Sequence, residues 1–181
     1  EIEGVAKSTD GDCQIKSPAR LAARKLPSTY DPRRSGEITT VKDQASTGAC
    51  WAFSALACAE QDLIKKGLEN PSAEFSVPAL VLSSNSGTAT GKDDFSSGGN
   101  WLFAASALAN GQGLCYEDYE PFLESGTENM IVSENKKSVS EYRLNYVMEL
   151  SSTTQVNRKI MELGAVSASY FAGNGYMNHN N

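Results

Sequence analysis

The chain has 181 residues, 40% hydrophobic and 21% charged, a balance that suits a folded globular protein and argues against an intrinsically disordered one. Sixteen Lys and Arg stand against 22 Asp and Glu, giving a net charge of −6; with no basic patch visible, nucleic acid and anionic membrane surfaces are disfavoured as partners. No apolar run reaches the length needed to span a bilayer.

Residues 1–25 mix small, charged and apolar side chains without a sustained period, with room for one or two helical turns over 18–25. They read as an N-terminal extension or as a disordered leader, and no signal-peptide pattern is visible in them. From residue 26 onward Pro27, Pro32 and the Ser35-Gly36 turn make helix improbable before Ile38, so the chain arrives extended.

A polar approach, Gln44-Ala45-Ser46-Thr47-Gly48-Ala49, then delivers Cys50 to the front of a strongly helical run. Ala52, Leu56, Ala59 and Leu63 form one helical stripe, and almost everything before Glu60 is apolar, so the first half of this helix should be buried nearly all round. Lys65 and Lys66 suit the negative end of the helix dipole, and Gly67 suits a left-handed cap. At the other end, unbonded N–H groups and a partial positive charge stabilise a thiolate, which makes Cys50 a candidate nucleophile. The competing reading is a small apolar residue opening a core helix.

Asn70-Pro71 breaks the chain, and Ser76 is placed to cap a short helix over 77–82. The stretch 83–99 is rich in Ser, Gly, Thr, Asn and Asp, is longer than a passive connector, and ends in Gly98-Gly99-Asn100. Positions without a side chain let a ligand strand pair main chain to main chain; a simple turn is the alternative. A helix over 101–109 ends at Asn110-Gly111. Glu117, Asp118 and Glu120 read as a solvated acidic turn rather than a metal site, because no histidine or further ligand spacing accompanies them. Residues 123–137 are unpatterned surface loop. Tyr142, Leu144, Tyr146 and Met148 alternate within a strand over 139–150, and Thr154 is placed to cap a helix carrying Val156, Ile160 and Leu163, closed by Gly164. Cys13, Cys50, Cys58 and Cys115 are too few for a dense disulfide framework; with Cys50 free, three remain, which hints at a free thiol or a partner outside the chain and leaves the redox compartment open.

The run from Asp43 to Ser54 resembles the active-site segment of papain-like cysteine peptidases, whose signature is a Cys, a small residue or two, the nucleophilic Cys and an aromatic. Gly48, Ala49, Cys50 and Trp51 fit it; Thr47 replaces the first cysteine, and Leu82-Ser83 stands where the family places another. The resemblance implies that Cys50 is the nucleophile and that the Gln44 amide completes an oxyanion hole with the Cys50 N–H. It also implies that Gly48, Gly98, Gly99 and Asn100 hold the substrate backbone. Leu26-Pro27 is similar to the family's mature start, making residues 1–25 an extension or prosegment remnant ahead of a peptidase domain at 26–181. Residues 165–170 resemble the strand that follows the family's next helix, with Ala165 where proline is usual.

Such a peptidase needs a histidine base. The chain has one, His179, just short of the separation of about 130 to 150 residues from the nucleophile that the family shows. Local order argues against it: the family's histidine follows a further loop and strand, whereas Gly173, Asn174 and Gly175 lead almost directly to His179, which reads as an exposed loop histidine. The implied protein is α+β with two lobes, a helical lobe built on the Cys50 helix and a β-rich lobe incomplete in this chain. Its implied activity is that of a cysteine endopeptidase, made as a zymogen, acting on peptide or protein substrates without metal or cofactor. Its histidine is expected from sequence beyond residue 181, on a second polypeptide. A secreted or cell-surface setting is expected, a lysosome-like compartment being the alternative. The competing function is a non-catalytic peptide-binding or surface-attachment module on the same fold.

Overall fold

A computed structural model describes residues 2–7, 25–84, 95, 98–109, 114–119, 121–122 and 142–170. Cys13 and His179 lie outside them, as do Glu120, the surface loop expected over 123–137 and the Asn110-Gly111 stop. Within them, strand β1 (Ile2–Lys7) and strand β2 (Tyr142–Val147) form an antiparallel two-stranded sheet, and four helices follow in chain order: α1 (Cys50–Lys65), α2 (Val77–Ser84), α3 (Trp101–Ala109) and α4 (Thr153–Leu163).

Helix α1 is the axis of the packing, in contact with β1, α2, α3 and α4. Its limits follow from local chemistry. At the C-terminal end Gly67 takes φ 69°, its N–H bonds the Ile64 carbonyl, and the Leu68 N–H reaches back to Leu63 at 2.9 Å, the left-handed stop expected from the glycine. Burial extends beyond the apolar first half: Glu60, Gln61 and Asp62 are buried as fully as the leucines around them. Glu60 is tolerated there because its Oε1 accepts from Lys42 Nζ at 2.9 Å and from the Phe75 N–H at 2.8 Å, while Lys42 also donates to the Phe75 carbonyl at 3.2 Å.

Leu56, Leu63, Phe75, Val77, Val81 and Leu108 bring α1, α2 and α3 into one apolar core. Ser76 caps α2 as its sequence indicates, its Oγ accepting from the Ala79 N–H at 3.1 Å. Asn100 caps α3, Oδ1 accepting from the Leu102 N–H at 2.9 Å. Helix α4 is capped by Ser152 instead of Thr154: Ser152 is extended (φ −138°, ψ 148°) and its Oγ accepts from the Gln155 N–H at 3.3 Å, while Gln155 Oε1 reaches back to the Ser151 N–H at 2.9 Å. Ser and Gln stand three apart as in a capping box, with the Gln155 side chain reaching one residue further back, to Ser151, so the helix begins before Thr154. Gly164 closes it at φ 99°.

Three further readings are revised. Ile2–Lys7, which carries no clear periodic signal, pairs along its length with β2, in the register Ile2 with Val147 through Lys7 with Tyr142. Pro32–Ser35, expected extended, forms one 3-10 turn, because Asp31 accepts from the Arg33 N–H, Pro32 is preset for a first helical position and Gly36 supplies the left-handed exit at φ 69°. Residues 165–170, expected as a strand, have no ladder partner among the described residues; the Ser167 hydroxyl is tied instead to the Ser54 hydroxyl of α1 at 2.7 Å.

Strand β2 is fastened to the helical core through Tyr142, whose hydroxyl donates to Glu69 Oε1 at 2.8 Å and approaches the Leu68 carbonyl at 3.1 Å; the Tyr116 hydroxyl meets the same carboxylate oxygen at 2.5 Å. Both tyrosine rings pack on Phe75. Tyr142→Phe keeps the ring contact and removes only the hydroxyl, so urea unfolding is expected to show a loss of about 1–2 kcal/mol. A stability unchanged within about 0.3 kcal/mol would mean that the hydroxyl contributes nothing net.

Candidate active site

Cys50 is the first residue of α1. Ala49, Trp51 and Ala52 around it are buried, yet Cys50 is exposed, so the thiol is presented to solvent from the front of an otherwise buried helix. No side chain caps α1 at Ala49. The Ala52 N–H bonds the Ala49 carbonyl at 2.9 Å, and the dipole together with the Cys50 and Trp51 N–H groups is left to act on an anion at this end. The other two described thiols differ: Cys58 is buried inside α1, where burial pushes its pKa up to about 12, and Cys115 is buried with its Sγ 3.6 Å from the Tyr116 carbonyl.

The approach to Cys50 is a tight turn. Gln44 Nε2 donates to the Thr47 carbonyl at 2.8 Å, the Thr47 hydroxyl donates back to the Gln44 carbonyl at 2.8 Å, and Ala45 holds a left-handed φ of 50° with its N–H on Asp43 Oδ1. This bonding fixes the Gln44 side chain on the same turn that ends at the thiol. One hydrogen of the amide is engaged by Thr47, and the nitrogen carries two.

The glycine segment lies along this turn. The Gly48 N–H donates to the Phe95 carbonyl at 2.5 Å, Gly98 sits at φ 71°, and a Cβ built on Gly98 would lie 4.0 Å from the Gly48 carbonyl. The structure thus brings Gly48 and Gly98 together, and places Gly99 against the Trp51 indole. Asn100 is engaged as the cap of α3. Beyond it Trp101, Leu102 and Phe103 leave much of their apolar surface exposed. Glu117, singled out in the acidic turn, spends its Oε1 on the Phe122 N–H at 2.6 Å, and burial, opposed by that bond, holds its carboxyl above the usual range. Among the described residues no group of three or more His, Cys, Asp or Glu is placed to hold a metal, and no helix is long and apolar enough to cross a membrane. A cavity of about 380 Å³ runs beside α1 between Ile38, Phe53, Leu56, Val77 and Gly164; neither Cys50 nor Gln44 lines it, so it is separate from the thiol.

The family model for papain family cysteine proteases matches residues 26–180. The chain belongs to this family. Its helices and two-stranded sheet accord with the α+β papain-like fold. Among this papain-family chain's relatives, a cysteine proteinase of Theileria parva is 30% identical over 141 residues, covering 77% of this chain and 28% of the relative. Stem bromelain of Ananas comosus is 45% identical over 53 residues, covering 29% of this chain and 25% of bromelain. The papain-family chain therefore spans about a quarter of either relative's length. A solved digestive procathepsin L2 proteinase from Tenebrio molitor larval midgut is 24% identical, with a TM-score of 0.48, over 61% of this chain and 34% of that one.

The features that sequence reasoning missed here are the exposed apolar run at the start of α3 and the contact between Gly99 and Trp51. Residues 101–103 in a helix of high apolar content read as core, yet Trp101, Leu102 and Phe103 are exposed while Ala104, Ala107 and Leu108 are buried.

Proposed function

We propose that this chain carries the nucleophile's half of a cysteine endopeptidase site. The Cys50 thiolate attacks the carbonyl carbon of a peptide bond, forming the C–S bond of a tetrahedral intermediate. The Gln44 amide and the Cys50 N–H stabilise the oxyanion, and a histidine supplied by sequence beyond residue 181, on a second polypeptide, protonates the departing amine as the C–N bond breaks. Water then hydrolyses the acyl-enzyme. Gly48, Gly98, Gly99 and Asn100 line the path of the substrate backbone. The setting that suits such an enzyme is secreted or cell-surface, or a lysosome-like compartment.

The observation that carries this reading is Cys50: an exposed thiol at the uncapped front of a helix whose neighbouring residues are buried. That further sequence packs against these residues, on the same or a second polypeptide, is supported by apolar surface left open among them, namely Val41 at 91% exposure, the half-covered Ile38 and the cavity beside Phe53.

The test is hydrolysis of a fluorogenic peptide amide by the full protein, with every fragment sequenced after denaturing electrophoresis. Turnover, together with a fragment that continues the fold beyond residue 181 and bears a histidine required for activity, is the expected result. Peptide binding without turnover would establish the binding-module reading instead. Gln44→Ala is expected to leave folding and thiol alkylation intact while lowering kcat by about 100-fold or more, the usual effect of losing one oxyanion donor. Unchanged turnover would reduce Gln44 to an ordinary turn residue.

A further inference from the structure

The expected reason for a glycine at position 99 is the close approach of a ligand strand. Position 99 has a different neighbour. A Cβ built on Gly99 would lie 2.6 Å from Trp51 Cδ1 and Cε2, and closer still to Nε1. Real Cβ atoms do not come so near, and the obstacle is the rigid five-membered ring of a buried indole, which cannot swing aside as a flexible side-chain end can. Gly98, one residue earlier, meets only the Gly48 carbonyl at 4.0 Å, so the two glycines are not equivalent.

Trp51 is well placed to transmit that contact. It follows Cys50 directly in α1, it is 7% exposed, and its ring is held edge-on by Phe103 of α3 at 5.8 Å between centroids. Its Nε1 is buried and finds no hydrogen-bond partner among the described residues, so the indole is anchored by shape and not by a bond. The indole therefore lies between the backbone of the nucleophile and the backbone of the Gly98-Gly99 segment.

We propose that Trp51 is a positioning residue that sets the distance of the Gly98-Gly99 backbone from Cys50, and that Gly99 lacks a side chain because the indole fills its place. The proposal rests on the peptidase reading above, since it assigns that spacing a role in aligning a peptide with the thiol. An ångström of misplacement at such a site costs roughly 100-fold in rate.

A double-mutant cycle on the full protein tests it. Gly99→Ala is expected to lower kcat/KM for a peptide amide by at least about tenfold, from overpacking against Trp51. Trp51→Val removes every ring atom that the new methyl would strike and breaks no hydrogen bond found among the described residues, so the penalty of Gly99→Ala should largely vanish in that background. Alkylation of Cys50 by iodoacetamide, a reagent too small to need the glycine segment, should proceed at a similar rate in Gly99→Ala. If the two substitutions simply multiply, the methyl obstructs the substrate itself and the proposal is overturned. If the cycle couples in thermal unfolding but not in kcat/KM, Trp51 is only a structural support and the proposal again fails. A wild-type protein that is alkylated but cleaves no peptide would overturn the peptidase reading, and the positioning role with it, while the unfolding cycle would still report the contact.

Discussion

Iodoacetamide at mildly acidic pH is expected to modify Cys50 and leave Cys58 and Cys115 intact in the native protein. Cys50→Ser is expected to lower peptide turnover by about 10⁴-fold or more, as removal of a catalytic nucleophile does. The contrast has a physical basis in one helix. Cys50 is exposed at its positive end, whereas Cys58, two turns further along, is surrounded by core and its thiol pKa is raised to about 12 by burial. Because deprotonation of Cys58 needs a pH near that value, it remains a thiol, a poor nucleophile, throughout the range in which the labelling is done. Peptide mapping by mass spectrometry decides the matter. Modification of Cys58 or Cys115 at a rate matching Cys50 would remove the thiol's claim to special reactivity.

Glu60→Ala is expected to be strongly destabilising, costing about 3–5 kcal/mol. Glu60 is 2% exposed and its one oxygen Oε1 serves both the Lys42 ammonium and the Phe75 N–H. Truncation leaves a partly buried cation and a buried amide with nothing to bond, beside a cavity already present along that helix. Lys42→Met combined with Glu60→Met removes both charges and should recover part of the loss, leaving the cost of the Phe75 N–H and carbonyl, which both lose their partner, about 1–3 kcal/mol. Chemical denaturation of the single and double variants separates these amounts. A single variant within about 1 kcal/mol of the parent would show that the ion pair adds little to the fold.

Much of the fold was legible in the sequence wherever a boundary is set by a neighbour in the chain. Gly67 ends α1, Ser76 starts α2 and Gly164 ends α4, because caps are satisfied within a few residues. The start of α4 is equally local: Ser152 with Gln155 three residues on sets it ahead of Thr154, the residue expected to cap it. What was not legible depends on partners distant in sequence. The pairing of Ile2–Lys7 depends on β2, and burial of the Glu60 carboxylate depends on Lys42 and on the main chain of Phe75. The candidate site divides in the same way. Cys50, Gln44 and Gly48 share one turn and can be read from it, whereas the approach of Gly98 to Gly48 was accessible only through resemblance. The clash awaiting any side chain at position 99 was visible from neither.

The register of the sheet also bears on when the protein can fold. Ile2 opposes Val147, so β1 leaves the ribosome with its partner still to be made. At synthesis rates of about 5–20 residues per second, the wait is roughly seven to thirty seconds. Helix α1 and its neighbours α2 and α3 lie wholly within that interval and can collapse on one another first, with loops short enough to close at modest entropic cost. Throughout it, β1 has an unsatisfied edge open to any extended chain nearby, which makes the nascent polypeptide, more than the finished one, the state most exposed to misassembly.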